Sequence, residues 1–222
     1  MRKIDAYFRR VALVLLTLLA VLHLPGAVAA ENSIAFLGPK GSYSDQAASE
    51  YVSRADLAGA IAFGTITQIA LSVRNEQVQY GLLPFENSIG GFVGETHRLL
   101  LAPQDPGWHV IADVTISISN NLLVKPGTRP PDLRKILRES ANWLKANFPQ
   151  VSQEGVSSTA AAAEEVAKGD GTIAAIASTA AANVYQLKVL FSDIQDDPGN
   201  ATTLRPTSAS LVGAYRPSPP SR

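Results

Sequence analysis

The sequence has no cysteine, a single methionine and three histidines among 222 residues. Without cysteine the chain has neither disulfides nor a thiol nucleophile, so stability must come from its core. Beyond the N-terminal segment only His97 and His109 remain, and neither has a serine elbow or metal-ligand spacing near it. A hydrolase is therefore a poor reading; His97 reads as a solvated or capping residue and His109 as structural. There is no internal repeat and no block of like charge. The one long apolar run, residues 11–24, is shorter than the ~20 residues a spanning helix needs. Arg2, Lys3, Arg9 and Arg10 precede it and the small residues of 25–30 follow, the layout of a secretory signal cleaved near Glu31. A periplasmic or secreted protein is expected, without stable membrane association once the signal is removed. Residues 1–30 hold four of the 19 basic and one of the 19 acidic residues, which leaves 15 basic against 18 acidic. That mildly acidic balance argues against nucleic acid as a partner.

What is present is an alternation of short strands and helices. Residues 33–37 read as a buried strand feeding the turn Gly38-Pro39-Lys40-Gly41, and Ser42 and Ser44 stand at the start of a helix whose inner face carries Ala47, Ala48, Tyr51 and Val52. Strand, glycine turn and helix start make either an anion cradle or an ordinary connection. A strand over 60–63, a helix over 67–73 and a strand over 79–84 complete an α/β pattern with a largely parallel sheet. Residues 109–118 alternate as a long strand, and 121–124 follow. Asp132 is expected to cap a helix with Leu133, Ile136 and Leu137 on one side, continued by Trp143, Leu144 and Phe148. Ser158 and Thr159 open a helix over 160–167, a second helix start able to receive an anion. A small-residue strand over 172–177, a helix over 180–185 and an apolar stretch over 189–191 lead to a polar loop over 193–204, and 216–222 reads as a disordered tail. Trp108 and Trp143 read as core or lobe-contact residues.

The stretch over 80–101 carries the densest chemistry. An apolar run ends at Pro84, then Glu86, Asn87 and Ser88 offer a base, an amide and a hydroxyl in consecutive positions, and Gly90, Gly91 and Gly94 precede an amphipathic helix. This reads as a binding loop between strand and helix, with a polar connection as the plainer alternative.

Four motifs stand in one order: G-P-K-G-S-Y-S from Gly38, L-P-F-E-N-S-I-G-G-F-V-G-E-T from Leu83, S-T-A-A-A from Ser158 followed by A-A-I-A-S from Ala174, and N-A-T from Asn200. Together they resemble the prephenate dehydratase family. The resemblance implies a two-lobed α/β fold like that of type II periplasmic binding proteins, with mixed, mostly parallel sheets and a substrate cleft between lobes. It places lobe 1 over 31–115 and 188–215 and lobe 2 over 116–187. It also implies loss of water and carbon dioxide from prephenate to give phenylpyruvate, with no cofactor and no metal. Thr202 falls on the threonine that assists departure of the ring hydroxyl, and Glu86 and Asn87 on the Glu-Asn pair of the site. Ser42, Ser44, Ser88, Ser158, Thr159 and Asn200 are the expected substrate-binding residues. Related dehydratases pair into dimers, which makes a homodimer the candidate assembly, and no regulatory domain is expected after Leu211.

The chain departs from the family pattern in three places. Thr203 and Leu204 stand where Arg-Phe follows the threonine, with an arginine only at Arg205. A Ser-His-Pro-Gln-Ala block has no counterpart near 136–143, where Ser140 and Asn142 are the substitutes at hand, and Gly94 replaces an asparagine. The rival reading is a catalytically impaired binding protein for an aromatic or dicarboxylate solute.

Overall fold

The computed structural model describes residues 30–102, 107–138, 142–156 and 158–209. The expected signal segment up to residue 29, the tail over 216–222 and Ser140 lie outside the described residues. Within them no helix is long and apolar enough to cross a membrane.

The chain opens with β1 (Ala30–Leu37), α1 (Tyr43–Ala55), β2 (Gly59–Phe63), α2 (Ile66–Arg74) and β3 (Val78–Asn87). β1 pairs in parallel with β2 on one side and β3 on the other. Ile34, Ala35 and Phe36 are fully buried, because helices cover both faces of this central strand. Ile34 and Phe36 pack with Ala47 and Ala48 of α1, whereas Ala35 packs with Ile66, Ile69 and Val73 of α2. Each large apolar side chain so buried contributes roughly 1.5–3 kcal/mol. α2 lies directly on β3 at Gly81, where a Cβ would sit 2.8 Å from Cγ2 of Ile69 and 3.1 Å from Cγ2 of Val73.

β4 (Gly91–Phe92) folds back on β3, and α3 (Gly94–Leu100) follows. The long strand expected over 109–118 is two strands, β5 (Trp108–Val110) and β6 (Val114–Ser117), both paired antiparallel with β12 (Ala201–Ala209). β12 also pairs antiparallel with β3, so this sheet runs β2-β1-β3-β12-β5 with β4 and β6 attached.

The second sheet, β11-β7-β10-β8-β9, contains β7 (Asn121–Val124), β8 (Lys135–Arg138), β9 (Ser152–Gly155), β10 (Ile173–Ala177) and β11 (Lys188–Phe191). α4 (Asn142–Asn147), α5 (Thr159–Lys168) and α6 (Thr179–Val184) complete this part. Here the expected helix from Asp132 is corrected: Pro130–Asp132 is a single 3-10 turn and residues 135–138 are a strand. Ile136 and Leu137 are both fully buried because β8 lies between β10 and β9 with covered faces. A strand buried on both faces shows a continuous apolar run, which with Leu133 imitates helical spacing.

Both sheets are mixed. Parallel pairing holds for β2-β1-β3 and β10-β8-β9, while the strands beside them, β12, β7 and β11, pair antiparallel. The chain leaves the first sheet after Ser117, enters the second at Asn121, leaves it after Phe191 and returns at Ala201. β11, expected with the first lobe, therefore belongs to the second sheet.

Candidate functional site

The parallel strands β1, β2 and β3 point their C-terminal ends toward the segments that link the two sheets, the place where open α/β sheets bind ligands. Those segments are bonded to each other and to α1. The Tyr43 hydroxyl lies 2.8 Å from both the Ser119 carbonyl and Oδ1 of Asn120. Ser119 Oγ donates to Asp193 Oδ1 (2.6 Å), and Ile194 N donates to the Asn120 carbonyl (2.8 Å).

At the end of β3 the structure gathers four of the expected residues. Nδ2 of Asn87 donates to Oδ1 of Asn200 (2.8 Å), the Ala201 carbonyl (3.0 Å) and Oγ1 of Thr202 (3.0 Å). Oδ1 of Asn87 accepts from the N–H groups of Ile89 (3.0 Å) and Gly90 (2.8 Å). Ser88 is stitched to the same segment: its Oγ accepts from Ala201 N (3.0 Å) and donates to the Gly199 carbonyl (3.3 Å). Two local readings are corrected here. β3 does not stop at Pro84 but continues to Asn87, and Thr202 sits on β12 rather than in a polar loop. Pro84 is tolerated because β3 and β12 shift register between Thr203 and Leu204, where the lost ladder donor is not needed.

Glu86 does not join this group. Thr202 pairs with Asn87 and Ile116, whereas Glu86 pairs with Thr203 and Phe92. Cross-strand partners share a face and successive residues alternate, so Glu86 and Thr203 face away from the side that carries Asn87 and Thr202. Arg205 shares the Thr203 face: its Nε donates to Oδ1 of Asp113 (2.7 Å) and its Cζ lies 3.5 Å from the Phe85 ring centroid. Leu204 is fully buried beside Val114. His97, expected to be solvated or capping, stacks on Phe85 at 4.3 Å and lies tilted against Phe92 at 4.4 Å, with its Nε2 buried and without a hydrogen-bond partner among the described residues.

The first helix start is filled by the protein itself. Ser42 Oγ accepts from Asp45 N (3.2 Å) and donates to the Leu37 carbonyl (3.2 Å), and the Asp45 carboxylate takes the N–H of Gly41 at 2.7 Å. Ser44 is half-buried in the first turn of α1. Ser158 caps α5 by accepting from Ala161 N (3.2 Å), and Thr159 begins the helix. Among the described residues no hydrogen bond joins Ser158 or Thr159 to the Asn87 group.

The structure adds a contact that the sequence did not single out. Ser178 Oγ, buried at the start of α6, donates to the Gly41 carbonyl (2.8 Å), and the Tyr185 hydroxyl reaches the Lys40 carbonyl (3.2 Å). Burial, and then the Glu164 carboxylate, push the Tyr185 phenol above its usual pKa. The Gly38 and Ala174 motifs thus touch across the two sheets; A-A-I-A-S was the available signal, and only its serine does the bonding. Asn142, the other candidate substitute, is occupied: its backbone N–H lies 2.9 Å from the Asp196 carboxylate and its Oδ1 accepts from Lys145. Among the described residues no cluster of three or more His, Asp or Glu side chains could hold a metal. A separate cavity of about 490 Å³ lies between α2 and α3, lined by residues that include Ile66, Leu71, Leu99 and Trp108, and none of the expected site residues lines it.

Comparison with known proteins matches residues 34–204 to the family model described as prephenate dehydratase. The bifunctional chorismate mutase/prephenate dehydratase of Neisseria gonorrhoeae is 35% identical over 183 residues, 79% of this chain and 49% of that protein. The chain thus spans about half the length of that curated relative. Among solved structures, prephenate dehydratase from Arthrobacter aurescens in complex with L-Phe superposes with a TM-score of 0.70 at 26% identity, covering 83% of this chain and 63% of that one. GqqA, described as a novel type of quorum quenching acylase, superposes with a TM-score of 0.68 at 25% identity, covering 84% of this chain and 67% of that one.

Proposed function

Since the chain belongs to the prephenate dehydratase family, we propose that it converts prephenate to phenylpyruvate, carbon dioxide and water. The observation that carries this reading is Thr202 Oγ1 held at 3.0 Å from Asn87 Nδ2, at the end of the strand where the family's threonine falls. In the reaction the ring–carboxylate bond breaks and carbon dioxide leaves. Its electron pair completes the aromatic ring as the ring C–O bond breaks and its pair departs with the hydroxyl. Aromatisation supplies the driving force, so the protein needs only to orient a dianion and stabilise negative charge on the departing oxygen. Thr202 serves as a hydrogen-bond donor to that oxygen. A threonine hydroxyl is too weak an acid to surrender its proton, which the solvent supplies to form water.

The acylase reading finds no support in the hydroxyls of the site. An acyl-transfer nucleophile requires an adjacent base. Thr202 is bonded to an amide, Ser88 to backbone groups, Ser42 to backbone groups and Ser178 to backbone groups. The proposed place of action is outside the cytoplasm, supported by the basic and apolar composition of residues 1–30, and a homodimer is the proposed assembly, supported by the family's habit of pairing.

The test is incubation of the full chain with prephenate, following phenylpyruvate and carbon dioxide together. One equivalent of each is expected per prephenate consumed. Binding without product, from folded protein, sinks the dehydratase reading in favour of a binding protein.

A further inference from the structure

Asn87 was expected to act on substrate, but its amide has no capacity left to do so. Its carbonyl oxygen has two lone pairs and accepts two N–H groups; its two N–H protons are shared among three acceptors. The orientation of the amide is fixed by the backbone. The N–H groups of Ile89 and Gly90 can only donate, and the Ala201 carbonyl can only accept. Turning the amide over would set donor against donor and acceptor against acceptor.

That orientation dictates the polarity of two neighbours. Nδ2 of Asn87 has no lone pair to offer, so Thr202 Oγ1 is the acceptor in their contact and its own proton points elsewhere. Asn200 uses Oδ1 to accept from the same nitrogen, which leaves its Nδ2 with two protons and no partner among the described residues. Two acceptors gathered on one amide nitrogen thereby become two outward donors.

We propose that Asn87 is a positioning residue that sets the site's polarity, turning the Thr202 hydroxyl and the Asn200 amide outward as donors toward a departing hydroxyl and an adjacent carboxylate. This deepens the dehydratase reading and rests on it for the identity of the ligand, but the hydrogen-bond arrangement can be tested apart from turnover.

The decisive variant is Asn87→Asp in the full chain. One carboxylate oxygen still accepts from Ile89 and Gly90, while the other takes the place of the amide nitrogen as an acceptor: it draws the Thr202 proton inward, draws an Asn200 proton inward once that amide turns over, and stands against the Ala201 carbonyl. At neutral pH kcat is expected to fall by about 100-fold or more, the scale of a lost donor at a reacting oxygen. The ratio of variant to wild-type kcat is then expected to rise as pH falls toward ~4 and the introduced carboxyl gains a proton to donate. A purely structural asparagine gives a deficit that does not depend on pH. The second readout uses wild-type protein and no catalysis. In nitrogen-15 NMR, with both side-chain amides assigned, prephenate is expected to shift the Asn200 NH2 signals and leave the slowly exchanging Asn87 signals in place. Wild-type turnover in Asn87→Asp, a pH-independent deficit, or ligand shifts at Asn87 with none at Asn200 overturns the proposal. Absence of turnover in the wild type overturns the dehydratase reading alone, and the NMR titration still decides the role of Asn87. If Asn87→Asp does not fold, that titration again decides.

Discussion

Gly41, in the loop after β1, meets Ala181 of α6 so closely that a Cβ on Gly41 would lie 2.9 Å from the Ala181 Cα. This is a backbone contact between an element of the first sheet and a helix of the second, and Ser178 Oγ fastens it by donating to the Gly41 carbonyl. Gly41 also has φ +81°, a conformation that other residues adopt only with strain.

Replacing Gly41 by alanine meets both obstacles, the left-handed backbone and the clash with Ala181. The backbone strain alone is worth roughly 1–2 kcal/mol, which the molecule can relieve by separating the two parts. The expected outcome is about a tenfold higher KM for prephenate, since about 1.4 kcal/mol is a factor of ten, together with a larger radius of gyration by X-ray scattering. An unchanged radius and KM would show that the contact does not hold the lobes together.

Thr202→Val keeps the shape of the side chain and removes its hydroxyl. Asn87 retains Asn200 and the Ala201 carbonyl as acceptors, so no donor is stranded. The expected result is a loss in kcat of about 100-fold or more with a change in stability below about 1 kcal/mol. Thr202→Ser should restore much of the rate. A large drop in thermal midpoint with proportionate loss of activity would mark Thr202 as structural instead.

Glu86→Gln gives the opposite expectation. Glu86 lies across from Thr203, where the family carries arginine, and away from the face of Asn87 and Thr202. Its substitution should leave kcat within a few-fold of wild type in a steady-state assay. A loss comparable to that of Thr202→Val would place the carboxylate in the reaction.

Gly81→Ala tests the fold rather than the site. The added methyl would press on Ile69 and Val73, branched side chains held in the core. Overpacking of this kind costs about 1–3 kcal/mol, and for a chain of this size each kcal/mol lowers the melting midpoint by about 2–4 °C. An unaltered midpoint in calorimetry would mean that α2 moves off β3 without cost.

What the sequence revealed of this molecule followed the reach of its local signals. The β1 strand, the glycine turn and the Ser42 start of α1 were legible because apolar run, turn and cap lie within a dozen residues. The helix expected after Asp132 failed because Leu133, Ile136 and Leu137 satisfy helical spacing, while Ile136 is buried against Leu144 and Phe148 on one face of β8 and Leu137 against Ala162 and Val166 of α5 on the other. β9, the polar edge strand Ser152–Gly155, has no apolar alternation to betray it. At the site, Asn87, Ser88, Asn200 and Thr202 were all legible, but the bonds among them were not. Asn87 meets Thr202 across a separation of 115 residues, and only the pairing of β3 with β12 shows that the asparagine faces the threonine while Glu86 faces away. Ser178 escaped notice for the same reason: its partner Gly41 is 137 residues distant.

Turnover of prephenate through Thr202 is tested most directly by comparing phenylpyruvate formation by the full wild-type chain and by Thr202→Val under saturating prephenate. Catalytic product formation by the wild type with a loss of about 100-fold or more in the variant is the predicted result. Prephenate bound by both proteins with phenylpyruvate formed by neither, or equal rates in the two, would contradict it.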